Sequence, residues 1–161
     1  MPNTEKIAIF VDVQNIYYTV RQQFNSHFNY RVFWEQLSRQ GDISHAYAYA
    51  IDRNDARQLQ FQRILRNIGF DVKLKPFIQR GDGSAKGDWD VGITIDILQT
   101  APIVDRIILA SGDGDFDILL TTVRQQFGIQ TEVYSVEQLT ARSLIDASNQ
   151  YQPINHLLLL H

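Results

Sequence analysis

A three-layer α/β/α sandwich around a mostly parallel central sheet is what this sequence predicts, on three observations. Short apolar runs alternate with segments of helical periodicity, and strands alternating with helices imply a parallel sheet covered on both faces. The runs Ile7 to Val11 and Ile107 to Ala110 are continuously apolar, as strands buried on both faces are. Each leads into a carboxylate, Asp12 directly and Asp113 after Ser111-Gly112. The 161 residues fit one domain, residues 1–161, with enough material for a core.

The elements follow in order. Ile7 to Val11 is a buried strand ending at Asp12, followed by helical stretches over Asn15 to Phe24 and Phe33 to Arg39. His45 to Ile51, rich in aromatics and alanine, reads as a second strand. Asp55 to Ile68 carries Leu59, Ile64, Leu65 and Ile68 at helical spacing, with Gly69 where a C-cap belongs. Asp71 to Ile78 alternates Val72 and Leu74 with lysines, like a strand near the sheet edge, and Gln79 to Gly87 is a loop. Asp90 to Thr100 is a helix with Val91, Ile95 and Leu98 on one face. Strand Arg106 to Ala110, helix Phe116 to Phe127, strand Gln130 to Tyr134 and helix Gln138 to Ala147 complete the series.

Composition narrows the chemistry. At 44% hydrophobic and 20% charged the chain is an ordinary soluble globular protein. The absence of cysteine excludes disulfides, Cys-ligated zinc and thiol catalysis. Met1 to Lys6 leads straight into an apolar run too short for a signal peptide and lacking a cleavage pattern. No apolar run approaches the roughly 20 residues of a membrane helix, so a cytoplasmic location is expected. The apolar tail Leu157 to Leu160 suits a docking segment or a homodimer contact. Net charge is only −3, but it is segregated. Arg53 to Arg80 holds seven basic residues against two acids, and Lys86 to Asp117 two against seven. That is an acidic pocket beside a basic surface, or else a solvated helix face with scattered loop charges.

The carboxylates fall at element junctions, where ligands bind open α/β sheets. Asp12 either caps the helix that follows or faces a pocket, and Asn15 can add an amide oxygen or donate to a phosphate. Of Asp88 and Asp90, one can cap the helix while the other faces the pocket. Asp96, six residues past Asp90, either supports the pocket or accepts from backbone groups at a strand tip, and Lys86 either binds phosphate or is a solvated loop lysine. Asp113 sits at a strand tip, Asp115 at an expected N-cap and Asp117 in the first helical turn. Three acids so close repel one another, and a divalent cation relieves that. Oxygen-only ligands select Mg²⁺ or Mn²⁺ over zinc. The four histidines have no ligand spacing.

Three phrases in order, Ile9-Phe10-Val11-Asp12-Val13-Gln14-Asn15, Lys86-Gly87-Asp88-Trp89-Asp90-Val91 with Asp96, and Ser111-Gly112-Asp113-Gly114-Asp115-Phe116, resemble the NYN domain family. More closely they are similar to its bacterial LabA-like branch, relatives of the PIN nucleases. The resemblance runs from about Lys6 to Tyr151. It implies a PIN-like fold and a metal-dependent ribonuclease, with Asp12, Asp90, Asp113 and Asp115 as the metal-pocket carboxylates. Asn15, Lys86, Asp96 and Ser111 would support them. Many members have Lys-Gly-x-Asp in the middle phrase, which leaves either Asp88 or Asp90 as the ligand; the spacing to Asp96 favours Asp90.

On that reading the reaction is hydrolysis of RNA phosphodiesters with one or two Mg²⁺ or Mn²⁺ ions. Arg53, Arg57, Lys73, Lys75 and Arg80 would follow the backbone of single-stranded RNA. Tyr17, Tyr18 and Trp89 would stack bases or pack in the core. The alternatives are a catalytically weak RNA-binding or regulatory module and an aspartyl-phosphate phosphatase. Against the latter, Asp12-Val13-Gln14 has no second carboxylate two residues on. A dinucleotide-binding Rossmann protein fits less well still, because Gly112-Asp113-Gly114 puts an anion where a pyrophosphate needs N–H groups.

Overall fold

The computed structural model describes residues 4–76, 78–79, 85–86 and 88–161, with 78–79 and 85–86 as backbone only. In chain order the elements are β1 (Lys6–Asp12), α1 (Val13–Phe24), α2 (Tyr30–Ser38), β2 (Asp42–Asp52), α3 (Ala56–Ile68) and β3 (Asp71–Pro76). They continue with β4 (Ile78–Gln79), β5 (Ala85–Lys86), α4 (Asp90–Thr100), β6 (Arg106–Ala110), α5 (Asp117–Phe127), β7 (Gln130–Ser135), α6 (Arg142–Ala147) and β8 (Gln150–Pro153). Six strands form one parallel sheet in the order β3-β2-β1-β6-β7-β8. β4 and β5 make a separate antiparallel pair.

β1 sits at the centre because nothing on it tolerates water. Successive side chains point to opposite faces, and all five residues from Ile7 to Val11 are fully buried. Ile7, Ile9 and Val11 join one core with Ile16 and Val20 of α1, Phe33 and Leu37 of α2 and Leu65 of α3. Ala8 and Phe10 join the other, with Ile93 and Ile97 of α4, Leu120 and Val123 of α5 and Leu144 of α6. The α/β/α sandwich predicted from the alternating runs is the observed fold. The chain builds outward from β1 to β3, then returns to the other side of β1 as β6. That reversal opens a crevice between the carboxyl ends of β1 and β6.

Four expectations change. β3 stops at Pro76, which has no N–H to donate to a ladder. Ile78 therefore belongs to the β4–β5 pair, whose Gln79 and Ala85–Lys86 fall within the segment expected to be a loop. The single helix expected over Gln138 to Ala147 is a 3₁₀ turn, Glu137–Leu139, followed by α6. Thr140 interrupts it, its hydroxyl donating to the Val136 carbonyl (2.6 Å) and bonding the Ser135 hydroxyl (2.6 Å). β8 was invisible in the sequence: Gln-Tyr-Gln-Pro has no apolar alternation, and the strand forms only because β7 offers it an edge.

The fourth concerns α4. Val91, Ile95 and Leu98 do share a face, but that face is exposed, and Ile93, Ile97 and Thr100 are the residues buried against the sheet. The helix is apolar on two sides, so periodicity alone cannot choose between them. The tail Leu157 to Leu160 docks on its own chain. Leu158 and Leu159 are buried, Phe28 pairs with Leu159, and the Leu160 N–H donates to the His27 carbonyl (2.8 Å). Among the described residues no helix is long and apolar enough to cross a membrane.

Truncating the two faces of α4 should have opposite consequences. Ile97→Ala should destabilise by about 2–5 kcal/mol through lost burial and a cavity. Val91→Ala, at a position 70% exposed, should stay within about 0.5 kcal/mol. Urea unfolding of the two variants checks both.

Candidate metal centre

Asp12 is the last residue of β1 and the N-cap of α1 at once. One carboxylate oxygen accepts the Asn15 backbone N–H (3.5 Å), and the other accepts the Ser111 hydroxyl (3.1 Å). Only 9% of Asp12 remains exposed. Burial pushes its pKa up to about 6, against the lowering effect of the Ser111 and Asn15 bonds and with a smaller upward push from Asp113 and Asp88. Capping and pocket-facing, which competed as readings of Asp12, are thus one geometry.

Asp113 follows β6 across the crevice. Its carboxylate accepts the Asp115 N–H (2.9 Å) and starts a 3₁₀ turn, Gly114–Phe116, ahead of α5. The Asp113 N–H donates in turn to the Ser111 hydroxyl (3.2 Å), so one serine ties together the tips of β1 and β6. Asp90 arrives from the first turn of α4. Its pKa is pushed up to about 7 by burial, by a hydrogen bond shared with Asp113, and by the charges of Asp113, Asp88 and Asp12. One carboxylate oxygen from each of Asp12, Asp90 and Asp113 lies within 4.8 Å of the other two.

The loop carrying Asp113 is held on every side. The Gly112 N–H donates to the Asn15 side-chain oxygen (2.9 Å), which fastens it to α1. A Cβ on Gly112 would lie 2.9 Å from the Thr140 hydroxyl, and one on Gly114 would lie 2.7 Å from the Ala141 Cβ. Neither glycine has a positive φ. They are small so that the segment before α6 can press against the loop. This also explains why the helix expected there is broken at Thr140.

The other residues singled out in the sequence are dispersed. Asp115, expected with the metal carboxylates or as a cap, is exposed and lies outside the group of three, because Asp113 itself supplies the capping oxygen. Asp88 is exposed, accepts the Asp90 N–H (3.3 Å), and acts on Asp12 and Asp90 through its charge. Of the two candidates in the middle phrase, Asp90 is the one brought to Asp12 and Asp113. Asp96 is turned away into an ion pair with Lys73 (2.7 Å), and it also accepts the Tyr49 hydroxyl (2.7 Å). The Asn15 side-chain oxygen accepts the Gly112 N–H, and the Ser111 hydroxyl bonds Asp12 and the Asp113 N–H.

The basic candidates divide likewise. Arg53 lines an open cavity of about 640 Å³ with Asp52, Asn54 and Pro76 at the ends of β2 and β3. The Lys75 ammonium sits 4.5 Å from the centre of the Trp89 ring and donates to the Asp88 carbonyl (3.1 Å). The Lys86 side chain and all of Arg80 lie outside the described residues. Tyr17 and Tyr18 are exposed, Tyr17 stacking on His27, whereas Trp89 is half-buried against Tyr49. Sequence reasoning missed Thr140 and Ala141, which seat the loop; the small residues Gly112 and Gly114 opposite them were the available signal.

Three hard oxygen donors, two of them holding protons unusually tightly, form a donor set that fits a divalent cation of the Mg²⁺ or Mn²⁺ type. Among the described residues, Lys73 pairs with Asp96, Lys75 lies over Trp89, and Arg106 pairs with Glu5 and Glu132.

Comparison with known proteins gives consistent results. The profile of the NYN domain matches residues 6–155. The Low amplitude and bright protein LabA of Synechococcus elongatus is 29% identical over 162 residues, covering 94% of this chain and 85% of its own length. A crystal structure of a Vibrio parahaemolyticus protein of unknown function is 51% identical, with a TM-score of 0.93 over 99% of this chain and 100% of that one. Ribokinase from Giardia lamblia, at 11% identity and a TM-score of 0.51 over 94% of this chain and 58% of that one, shares the fold alone.

The raised carboxyls make the metal-free fold sensitive to pH in a definite direction. The folded chain holds the Asp12 proton more tightly than the unfolded chain, whose value is near 3.8. Stability from this group is therefore greatest below about pH 4 and falls as pH rises to about 6. Asp12→Asn should stabilise the metal-free protein at about pH 8, by on the order of 1–3 kcal/mol, and give no gain at about pH 3.5. Thermal melting in EDTA at the two pH values checks the sign.

Proposed function

The chain belongs to the NYN domain family, and from that premise we propose that it is a metal-dependent ribonuclease hydrolysing phosphodiester bonds of single-stranded RNA. The observation that carries this reading is the convergence of Asp12, Asp90 and Asp113, from three separate elements, at the crevice between β1 and β6. These three would hold Mg²⁺ or Mn²⁺. A cation there would supply neutralisation of charge on the phosphate and a lowered pKa for an attacking water.

The protein's own contribution is positioning. Ser111 and the Asn15 N–H orient the Asp12 carboxylate, leaving its remaining lone pairs for the crevice. Asp113 keeps its place through its own cap on the Gly114 turn, and the Asn15 side chain keeps the loop from drifting. Burial of Asp12 and Asp90 favours their neutral forms, so cation and proton compete for the same oxygens. Arg53, at the mouth of its cavity along the same rim, is in position to meet the RNA backbone on one side.

Labelled single-stranded RNA, single-stranded DNA and a phosphate monoester, each with Mn²⁺, Mg²⁺ or EDTA, test the reading. Cleavage of RNA should require the metal. It should fall by about 10²–10³-fold in Asp12→Asn and Asp113→Asn, the scale of losing one preorganised electrostatic group. Cleavage indifferent to EDTA would refute metal dependence. RNA binding without cleavage would favour a binding module, and turnover of the monoester alone a phosphatase.

A further inference from the structure

The start of α4 breaks a local rule. Its N-cap residue is Trp89, a poor capping residue that makes no side-chain cap hydrogen bond. Three residues into the helix stands Gly92, the weakest helix former after proline. Each oddity accounts for the other. The indole folds back over the first turn, and a Cβ on Gly92 would lie 2.6 Å from its Cε3 and 3.0 Å from its Cζ3. Only glycine leaves room.

The indole is fixed in every direction. Its N–H donates to the Ala50 carbonyl (2.8 Å), one residue past Tyr49, where β1 makes its last pair with β2. Its ring lies 5.3 Å, centre to centre, from the Tyr49 ring. The Lys75 ammonium covers it at 4.5 Å and donates to the Asp88 carbonyl (3.1 Å), gripping the chain on the approach to the helix. Nearly two turns further on, Asp96 bonds both Tyr49 and Lys73. α4 is thus tied to β2 and β3 at two heights, and the residue next to the upper tie is Asp90.

Resting on the metal-centre reading above, we propose that Trp89 is the positioning residue that holds Asp90 against Asp12 and Asp113, with Gly92 as the space it needs and Lys75 as its cover. Lys75 thereby passes from the RNA surface to the support of the metal site. α1, α2 and α3 begin on Asp12, Asn29 and Asp55, each accepting a backbone N–H, whereas α5 and α6, like α4, begin without a side-chain bond from the cap residue. At α4 the Asp88 carboxylate accepts the Asp90 N–H, and the Trp89 indole adds a long-range tie to the sheet. Such a tie sets where the helix begins, not merely that it begins.

Mn²⁺ binding, read by water-proton relaxation, and the metal-free ¹H–¹⁵N spectrum test the proposal in Trp89→Phe, Gly92→Ala and Asp90→Asn. Trp89→Phe keeps the ring and loses the N–H, and Gly92→Ala raises helix propensity while crowding the indole. Both should stay folded by circular dichroism and bind Mn²⁺ about 10–100-fold more weakly, the usual effect of losing support behind a ligand. On an Asp90→Asn background, Trp89→Phe should weaken binding no further. In both single variants the metal-free amide resonances of Asp90 and of its neighbours across the crevice, Asp12 and Asp113, should shift. Wild-type Mn²⁺ affinity in a folded Trp89→Phe, or an equal loss with and without Asp90, would overturn the proposal. If the wild-type protein binds no Mn²⁺, the metal reading fails. The metal-free spectrum then decides the positioning claim alone, unmoved Asp12 and Asp113 amides overturning it.

Discussion

A carboxylate at the end of a fully buried strand must find hydrogen-bond partners, since an isolated buried charge is far too costly to keep. Asp12 finds them in Ser111, beyond the end of β6, and in the first turn of α1. Everything at the sheet's upper rim follows from satisfying that one side chain. Ser111 reaches Asp12 only if β6 lies beside β1 in the observed register, Val11 opposite Ala110. The same hydroxyl accepts from Asp113, whose loop must then turn sharply, and the turn is narrow enough that Thr140 and Ala141 can close over it. The site is the place where strand pairing, helix capping and loop packing share atoms.

Charge segregation along the sequence has a different meaning in space. The basic stretch through β3 and the acidic stretch through α4 are neighbours, and they partly neutralise each other. Lys73 pairs with Asp96 while lying over the Tyr47 ring, and Lys75 lies over Trp89. Among the described residues, Arg53 and the α3 residues Arg57, Arg63 and Arg66 are exposed on the basic side. The modest net charge of −3 is therefore close to what a partner would meet.

The sandwich was legible because β1 and β6 are apolar without interruption, and only two-sided burial explains such runs. Asp12, Asp90 and Asp113 were legible because each stands at an element junction in a phrase of recognisable form. Where the reading went astray, information was missing locally. Nothing in Gln150 to Pro153 marks a strand. α4 offers two apolar faces, and the choice between them is made by the sheet. Asp115 looked like a better cap than Asp113 because sequence spacing cannot tell that Asp113 both caps and faces the crevice.

The bond between Ser111 and Asp12 spans 99 positions of sequence. Long-range parallel pairing of this kind closes late, after its loop entropy has been met by other contacts. β1, β2 and β3 can zip together while the chain is still being synthesised, but the third carboxylate of the group follows β6, more than two thirds of the way along. A growing chain therefore has Asp12 and Asp90 without Asp113, and the cluster comes into being only when the central crevice is complete. Assembly order gives this fold a built-in delay between the appearance of its first strand and the appearance of its site.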